Sequence, residues 1–128
     1  MVMGKHKGSR FENVTLNDLR KKFGHTSAWK TKGSGNADDD KGDIVFLNKY
    51  MLELKHHKSF SLPQLKRFFK KLDEEAVKEN LEPILVFKMN HRPTLMIGYA
   101  KFRHHEVEYP SILPFEYWLR EIKRFNEL

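Results

Sequence analysis

A chain of 128 residues with 24 Lys+Arg, 17 Asp+Glu and no cysteine carries a net charge of +7. The length suits a single domain over residues 1–128 with a modest core, and the missing cysteines exclude disulfide scaffolds and Cys-based zinc sites and favour a cytoplasmic setting. No apolar run approaches the roughly 20 residues needed to span a membrane, Met1 to Lys7 lacks the apolar core of a signal peptide, and the cationic surplus suits a polyanionic partner, nucleic acid first.

Ser9-Arg10-Phe11-Glu12 has the form of a capping box. It predicts a helix from about Arg10 to Phe23, with Phe11, Leu16, Leu19 and Phe23 as its apolar stripe and Gly24 as its stop. His25 to Lys41 reads as irregular apart from a short strand over Ala28–Thr31, and Lys32 to Gly42 forms a long Gly- and Asp-rich loop. A loop of that length in a small domain often serves a binding site.

Gly42 to Lys55 reads as a strand, a tight turn and a second strand. Alternate strand residues share a face, so Glu53 and Lys55 project together and Leu52 and Leu54 face the other way. A two-residue turn at Asn48-Lys49 would pair Asp43 with Leu54 and point it away from Glu53. A three-residue turn over Asn48–Tyr50, or a bulge, would bring Asp43, Glu53 and Lys55 to one face.

Phe60-Ser61-Leu62-Pro63-Gln64-Leu65 is a helix start, with Ser61 and Gln64 as capping box and Pro63 in the first turn. The helix should reach about Asn80, burying Leu65, Phe68, Phe69, Leu72 and Ala76 and exposing Lys66, Arg67, Lys70 and Lys71. Pro83–Met89 is almost continuously apolar, as in a central strand covered on both faces. Thr94–Tyr99 returns as another strand, Lys101–Ser111 reads as irregular, and Pro114–Phe125 is an amphipathic helix with Phe115, Trp118, Leu119, Ile122 and Phe125 inward. The order predicts an α/β fold, a mixed sheet flanked by helices.

Two carboxylates and an ammonium at one end of a hairpin suit a hard divalent cation and phosphodiester hydrolysis. Asp43 and Glu53 would be the ligands, the Leu54 carbonyl a third, and Lys55 would orient water or stabilise charge on the phosphate. The plainer alternative is a surface hairpin with a cross-strand ion pair. Glu12 either caps Ser9 or reaches this site from the first helix. Asp38-Asp39-Asp40 either chelates a cation or is a solvated loop. Adjacent histidines on a strand face opposite ways, so His56-His57 and His104-His105 offer one ligand each and read more simply as exposed or phosphate-contacting residues. Gln64 is foremost a capping residue that could also approach the site.

Several motifs, in order, resemble the archaeal-type Holliday junction resolvases of the PD-(D/E)XK nuclease superfamily and their phage or viral relatives. They are Lys7–Glu12 as the first-helix start, Gly33-Ser34-Gly35 as the serine-bearing loop, Gly42–Val45 as the aspartate strand, Glu53-Leu54-Lys55 as the Glu-x-Lys motif, and Ser61–Leu65 as the following helix start. The resemblance spans Lys5 to Tyr99. It implies a restriction-endonuclease-like fold, Mg²⁺ as cofactor with Mn²⁺ as a substitute and no small-molecule cofactor, Glu12 and Ser34 as additional site residues, and a homodimer cutting opposed strands of branched DNA, in the host cytoplasm for a phage or viral member. Lys5, Lys7, Arg10, Lys30 and Lys32, with Gln64, are the candidate DNA contacts. Related folds include nicking repair enzymes, exonucleases and restriction enzymes, and a non-catalytic DNA-binding module of the same fold is a further alternative.

Overall fold

The computed structural model describes residues 3–31, 42–99 and 109–126, with the side chains of 10–31, 44–99 and 109–125. Helix α1 (Met3–Phe23) leads into β1 (Ala28–Lys30), β2 (Gly42–Phe46) and β3 (Tyr50–His57). Then come α2 (Leu62–Lys78), β4 (Glu82–Met89), β5 (Leu95–Gly98), β6 (Ser111–Pro114) and α3 (Phe115–Asn126). All six strands form one sheet in sequence order. Only β3 and β4 pair in parallel, and α2 makes the crossover between them that parallel neighbours require; the other neighbours are antiparallel. Among the described residues no helix is long and apolar enough to cross a membrane.

Strand alternation divides the core into two layers. Ile44, Phe46, Leu52, Leu54, Ile84, Val86 and Met96 face Leu16 and Leu19 of α1 and Phe115, Trp118, Leu119 and Ile122 of α3. Met51, Leu85, Phe87 and Ile97 face Leu65, Phe69, Leu72 and Ala76 of α2. The central strands β3 and β4 are therefore apolar on both faces, as expected of Pro83–Met89.

Local chemistry sets the element ends. Gly24, at φ +109, takes the left-handed position after α1, and its N–H donates to the Arg20 carbonyl at 2.9 Å. Arg20 Nε donates to the Ala28 carbonyl at 2.9 Å, tying α1 to β1. At α2 the Ser61 hydroxyl accepts from the Gln64 N–H at 3.3 Å and Gln64 Oε1 accepts from the Ser61 N–H at 3.4 Å, which completes the predicted capping box.

Four expectations need correction. Helix α1 begins at Met3, so Ser9 lies inside it and does not cap it; a four-residue capping signature also fits a helix interior, and nothing between Met3 and Gly8 forces a break. The hairpin loop is Leu47-Asn48-Lys49, one residue earlier than predicted, with Phe46 opposite Tyr50. Residues 111–114, taken as the end of an irregular stretch and the start of the last helix, form an edge strand on β5. Its flanking Pro110 and its Pro114 are tolerated there because an edge needs fewer N–H donors. Phe68 is only half-buried and Phe125 is 38% exposed, so each sits at the margin of its helix's apolar stripe.

Tyr50 is buried beside Phe46 and against the Trp118 ring at 5.0 Å. Burial first, and then the Glu82 charge, push its hydroxyl up to about 12 from 10.0. Folding thus favours the neutral phenol. This contribution is complete below pH 10 and is lost as pH climbs towards 12, by about 2–3 kcal/mol for a shift of that size. Urea unfolding across pH 9–12 should show the midpoint falling in this window, with a shallower fall in Tyr50→Phe. Equal slopes would assign the alkaline loss to other groups.

Candidate active site

The hairpin places the predicted residues through an unusual turn. Leu47 and Asn48 both lie at φ 56, the left-handed pair of a type I′ turn, and the Lys49 N–H closes it on the Phe46 carbonyl at 3.1 Å. Phe46 pairs with Tyr50, so Lys49 is an extra residue on one strand, a bulge. The Lys49 carbonyl accepts from the Glu82 N–H at 2.8 Å, and the Leu47 N–H donates to the Ser27 carbonyl at 2.8 Å. The bulge is therefore bound on both sides, and it sets the register downstream.

In that register the Asp43 Cα lies opposite that of Glu53, and Lys55 follows two residues on. The three positions share one sheet face, as the sequence anticipated for a three-residue turn or bulge. That face is the one covered by α2, since Glu53 and Lys55 alternate with Leu52 and Leu54, which face α1. Glu53 is only 7% exposed. Lys55 Nζ stands 3.8 Å from Glu53 Oε1 and 4.9 Å from the centre of the Phe68 ring. Leu54 lies between Gly42 and Val86 in the ladder. A carbonyl has two lone pairs, so strand pairing leaves one for a cation.

Glu12 occupies the other face. Its carboxylate lies 3.4 Å from Lys30 Nζ, which also donates to Asn13 Oδ1 at 2.7 Å. Lys30 pairs with Ile44 and so belongs to the α1 side. Both groups sit at the same end of the sheet, where β1 and β3 finish and β2 begins, on strand positions of opposite faces. Arg10 is exposed on α1, and Gln64 is engaged in its cap. Ser34, Lys32 and Asp38–Asp40 lie outside the described residues, as do the side chains of Lys5, Lys7 and Asp43 and the pair His104-His105.

The remaining histidines diverge as strand geometry requires. His56, on the α1 face, lies 3.1 Å from Asn90 Oδ1 and meets the Phe11 ring edge-on. His57 stacks on Phe60 at 4.6 Å. Sequence reasoning assigned Phe68 to the core and missed its contact with Lys55; the i+3 spacing from Leu65 could not separate the centre of an apolar stripe from its flank.

Among the described residues no three His, Asp or Glu side chains gather in a metal-binding group. The donors that the register places at this end are a buried carboxylate, a second acidic residue directly opposite and a strand carbonyl. Such hard oxygen donors fit Mg²⁺ or Mn²⁺ and not a soft metal.

Residues 3–112 match a family model described as "Phage putative PDDEXK endonuclease", and the chain belongs to that family. The six-stranded mixed sheet between helices is accordingly a restriction-endonuclease-like fold. No curated protein matches the chain. A solved structure of Archaeoglobus fulgidus Hjc, a Holliday junction resolvase from an archaeal hyperthermophile, is similar at a TM-score of 0.46 and 18% identity, over 91% of this chain and 98% of that one.

Acidic residues directly across a strand pair repel, and a buried carboxylate is costly to desolvate. Metal-free Glu53→Gln should therefore melt above the parent protein, by a few degrees for a gain of about 1 kcal/mol. Differential scanning fluorimetry in EDTA measures this, and a lower melting temperature would show that the carboxylate stabilises the metal-free fold.

Proposed function

We propose that this PDDEXK family member is a divalent-metal-dependent DNA endonuclease that resolves four-way junctions as a homodimer. The observation that carries the nuclease site is the register: Asp43 opposite Glu53, with Lys55 two residues on and its ammonium 3.8 Å from the Glu53 carboxylate. Junction selectivity and dimerisation rest on the resemblance of the motif series from Lys7 to Leu65 to the resolvases.

Asp43, Glu53 and the Leu54 carbonyl would hold Mg²⁺, or Mn²⁺ in its place. The bound ion supplies charge neutralisation at the scissile phosphate and a water acidified for attack. The chain's own work is placement. Glu53 and Lys55 are adjacent same-face positions on a rigid central strand, so their side chains leave the backbone at a fixed separation. Lys55 can donate to the attacking water or to a phosphate oxygen as negative charge builds there. Glu12 and Ser34 join the site from the α1 side and from the loop before β2. Glu12 is then released from its pairing with Lys30, which becomes available to a phosphate.

Binding rests on backbone charge. Lys5, Lys7, Arg10, Lys30 and Lys32 would serve the α1 side. On the α2 side, Arg67 and Lys71 are exposed one helical turn apart, and Lys71 also lies one turn from Phe68, which touches Lys55. Each phosphate contact contributes about 0.9 to the slope of log K against log salt. Replacing Arg67 and Lys71 by Ala should weaken DNA binding and reduce that slope by about two. Titrations at several salt concentrations report it, and an unchanged slope would remove α2 from the interface.

Asp43→Asn and Glu53→Gln should each cut cleavage at least a hundredfold while leaving junction binding near the parent value. Undiminished cleavage in either variant would overturn the site. Rates on a four-way junction, a flap, nicked and intact duplex and single strands test the substrate. Preference for any other member of this set would make the protein a repair- or exonuclease-type member of the superfamily. Tight binding with no Mg²⁺- or Mn²⁺-dependent cleavage would make it a binding module.

A further inference from the structure

We propose that Phe68 is a positioning residue for Lys55, holding its ammonium at the site through the face of the aromatic ring. This rests on the reading that Lys55 acts at the scissile phosphate. Lys55 Nζ lies 4.9 Å from the centre of the Phe68 ring, within cation–π range, and 3.8 Å from Glu53 Oε1. One contact comes from its own strand and the other from α2.

The ring is itself held in place. His57 meets it at 6.2 Å and 87°, and Phe60 at 6.4 Å and 83°, both edge-to-face. Phe60 is in turn stacked on His57 at 10° and abuts Phe87 of β4 at 73°. The aromatic group thus spans the end of β3, the start of α2 and the neighbouring strand. It fixes which face Phe68 turns to Lys55.

Lysine is a point charge on a flexible stem and loses its placement easily. An ion pair with Glu53 is a weak restraint here, because a carboxylate committed to a cation shares its charge. The ring is neutral and binds no hard metal. Its hold on the ammonium therefore survives occupation of the carboxylates, which a purely ionic restraint does not. A leucine in this place would fill much of the space and supply no quadrupole.

The test compares Phe68→Leu and Phe68→Met, which keep apolar volume, with Phe68→Tyr and Phe68→Trp, which keep an aromatic face. Single-turnover cleavage of a saturating junction should fall on the order of tenfold in the first pair and stay within about threefold in the second. Junction Kd should change less than about twofold throughout. In metal-free protein carrying ¹³C-labelled lysine, the Lys55 ε-methylene protons should resonate upfield in the parent through the ring current, remain so in Phe68→Tyr and move to ordinary values in Phe68→Leu or Phe68→Met. That spectrum needs no activity, and a parent lacking the upfield shift overturns the proposal even where a variant fails to fold. Equal cleavage by Phe68→Leu and the parent, or an equal loss in Phe68→Tyr, also overturns it. Lys55→Met separates the two readings. Full activity there removes Lys55 from the chemistry, whereas an inactive Lys55→Met beside a fully active Phe68→Leu sinks the role of Phe68 alone.

Discussion

The pairing register of β2 against β3 is the constraint on which the site depends. A slip by one residue would carry each side chain of one strand to the opposite face. Asp43 would then turn from Glu53, and the apolar residues of β2 would leave the α1 layer. The protein holds the register with a left-handed pair at Leu47 and Asn48 and a bulge at Lys49. Leucine is a poor resident of that region, so the turn is maintained from outside, by the Ser27 carbonyl on Leu47 and by the Glu82 N–H on Lys49. The same two bonds join β1 and β4 to the hairpin. One turn therefore coordinates four of the six strands.

Burial then does opposing things along β3. Leu52 and Leu54 are almost fully buried on the α1 side, and Met51 is buried on the α2 side. These contacts make the strand rigid, and they place Glu53 in the same buried row. A rigid strand gives fixed separations between the backbone positions of Glu53, Lys55 and Asp43. The desolvated carboxylate is the cost of that placement.

Much of the fold was legible because its signals are periodic. The stripes of α2 and α3, the apolar run of β4 and the Ser61–Gln64 box each specify an element by chemistry that acts locally. What was missed depends on tertiary context. Ser9 and Glu12 carry the spacing of a cap, but α1 starts upstream and Glu12 pairs with Lys30, a residue distant in sequence. The turn was displaced by one residue because Asn48-Lys49 looks more turn-like than Leu47, whose conformation is imposed by its neighbours. The strand β6 is four residues long and bounded by prolines, leaving little pattern to read. At the site, the common face of Glu53 and Lys55 was legible because strand period alone fixes it, whereas the face of Asp43 was legible only as a condition on the turn. The contact of Phe68 with Lys55 was not, since it depends on how far α2 is rotated over the sheet.

The sheet itself separates the two groups of candidate residues. Glu12, Lys30 and Asn13 are joined on the α1 face, and Glu53, Lys55 and Phe68 on the α2 face. A layer of close-packed strands leaves no passage between them, so any joint action must take place around the sheet's end, where β1 and β3 finish and β2 begins. That end is where the Asp43 position lies, in the strand between β1 and β3. The Asp43 position is the link between the two groups in the fold: it lies directly opposite Glu53 and next to Ile44, the residue that pairs with Lys30.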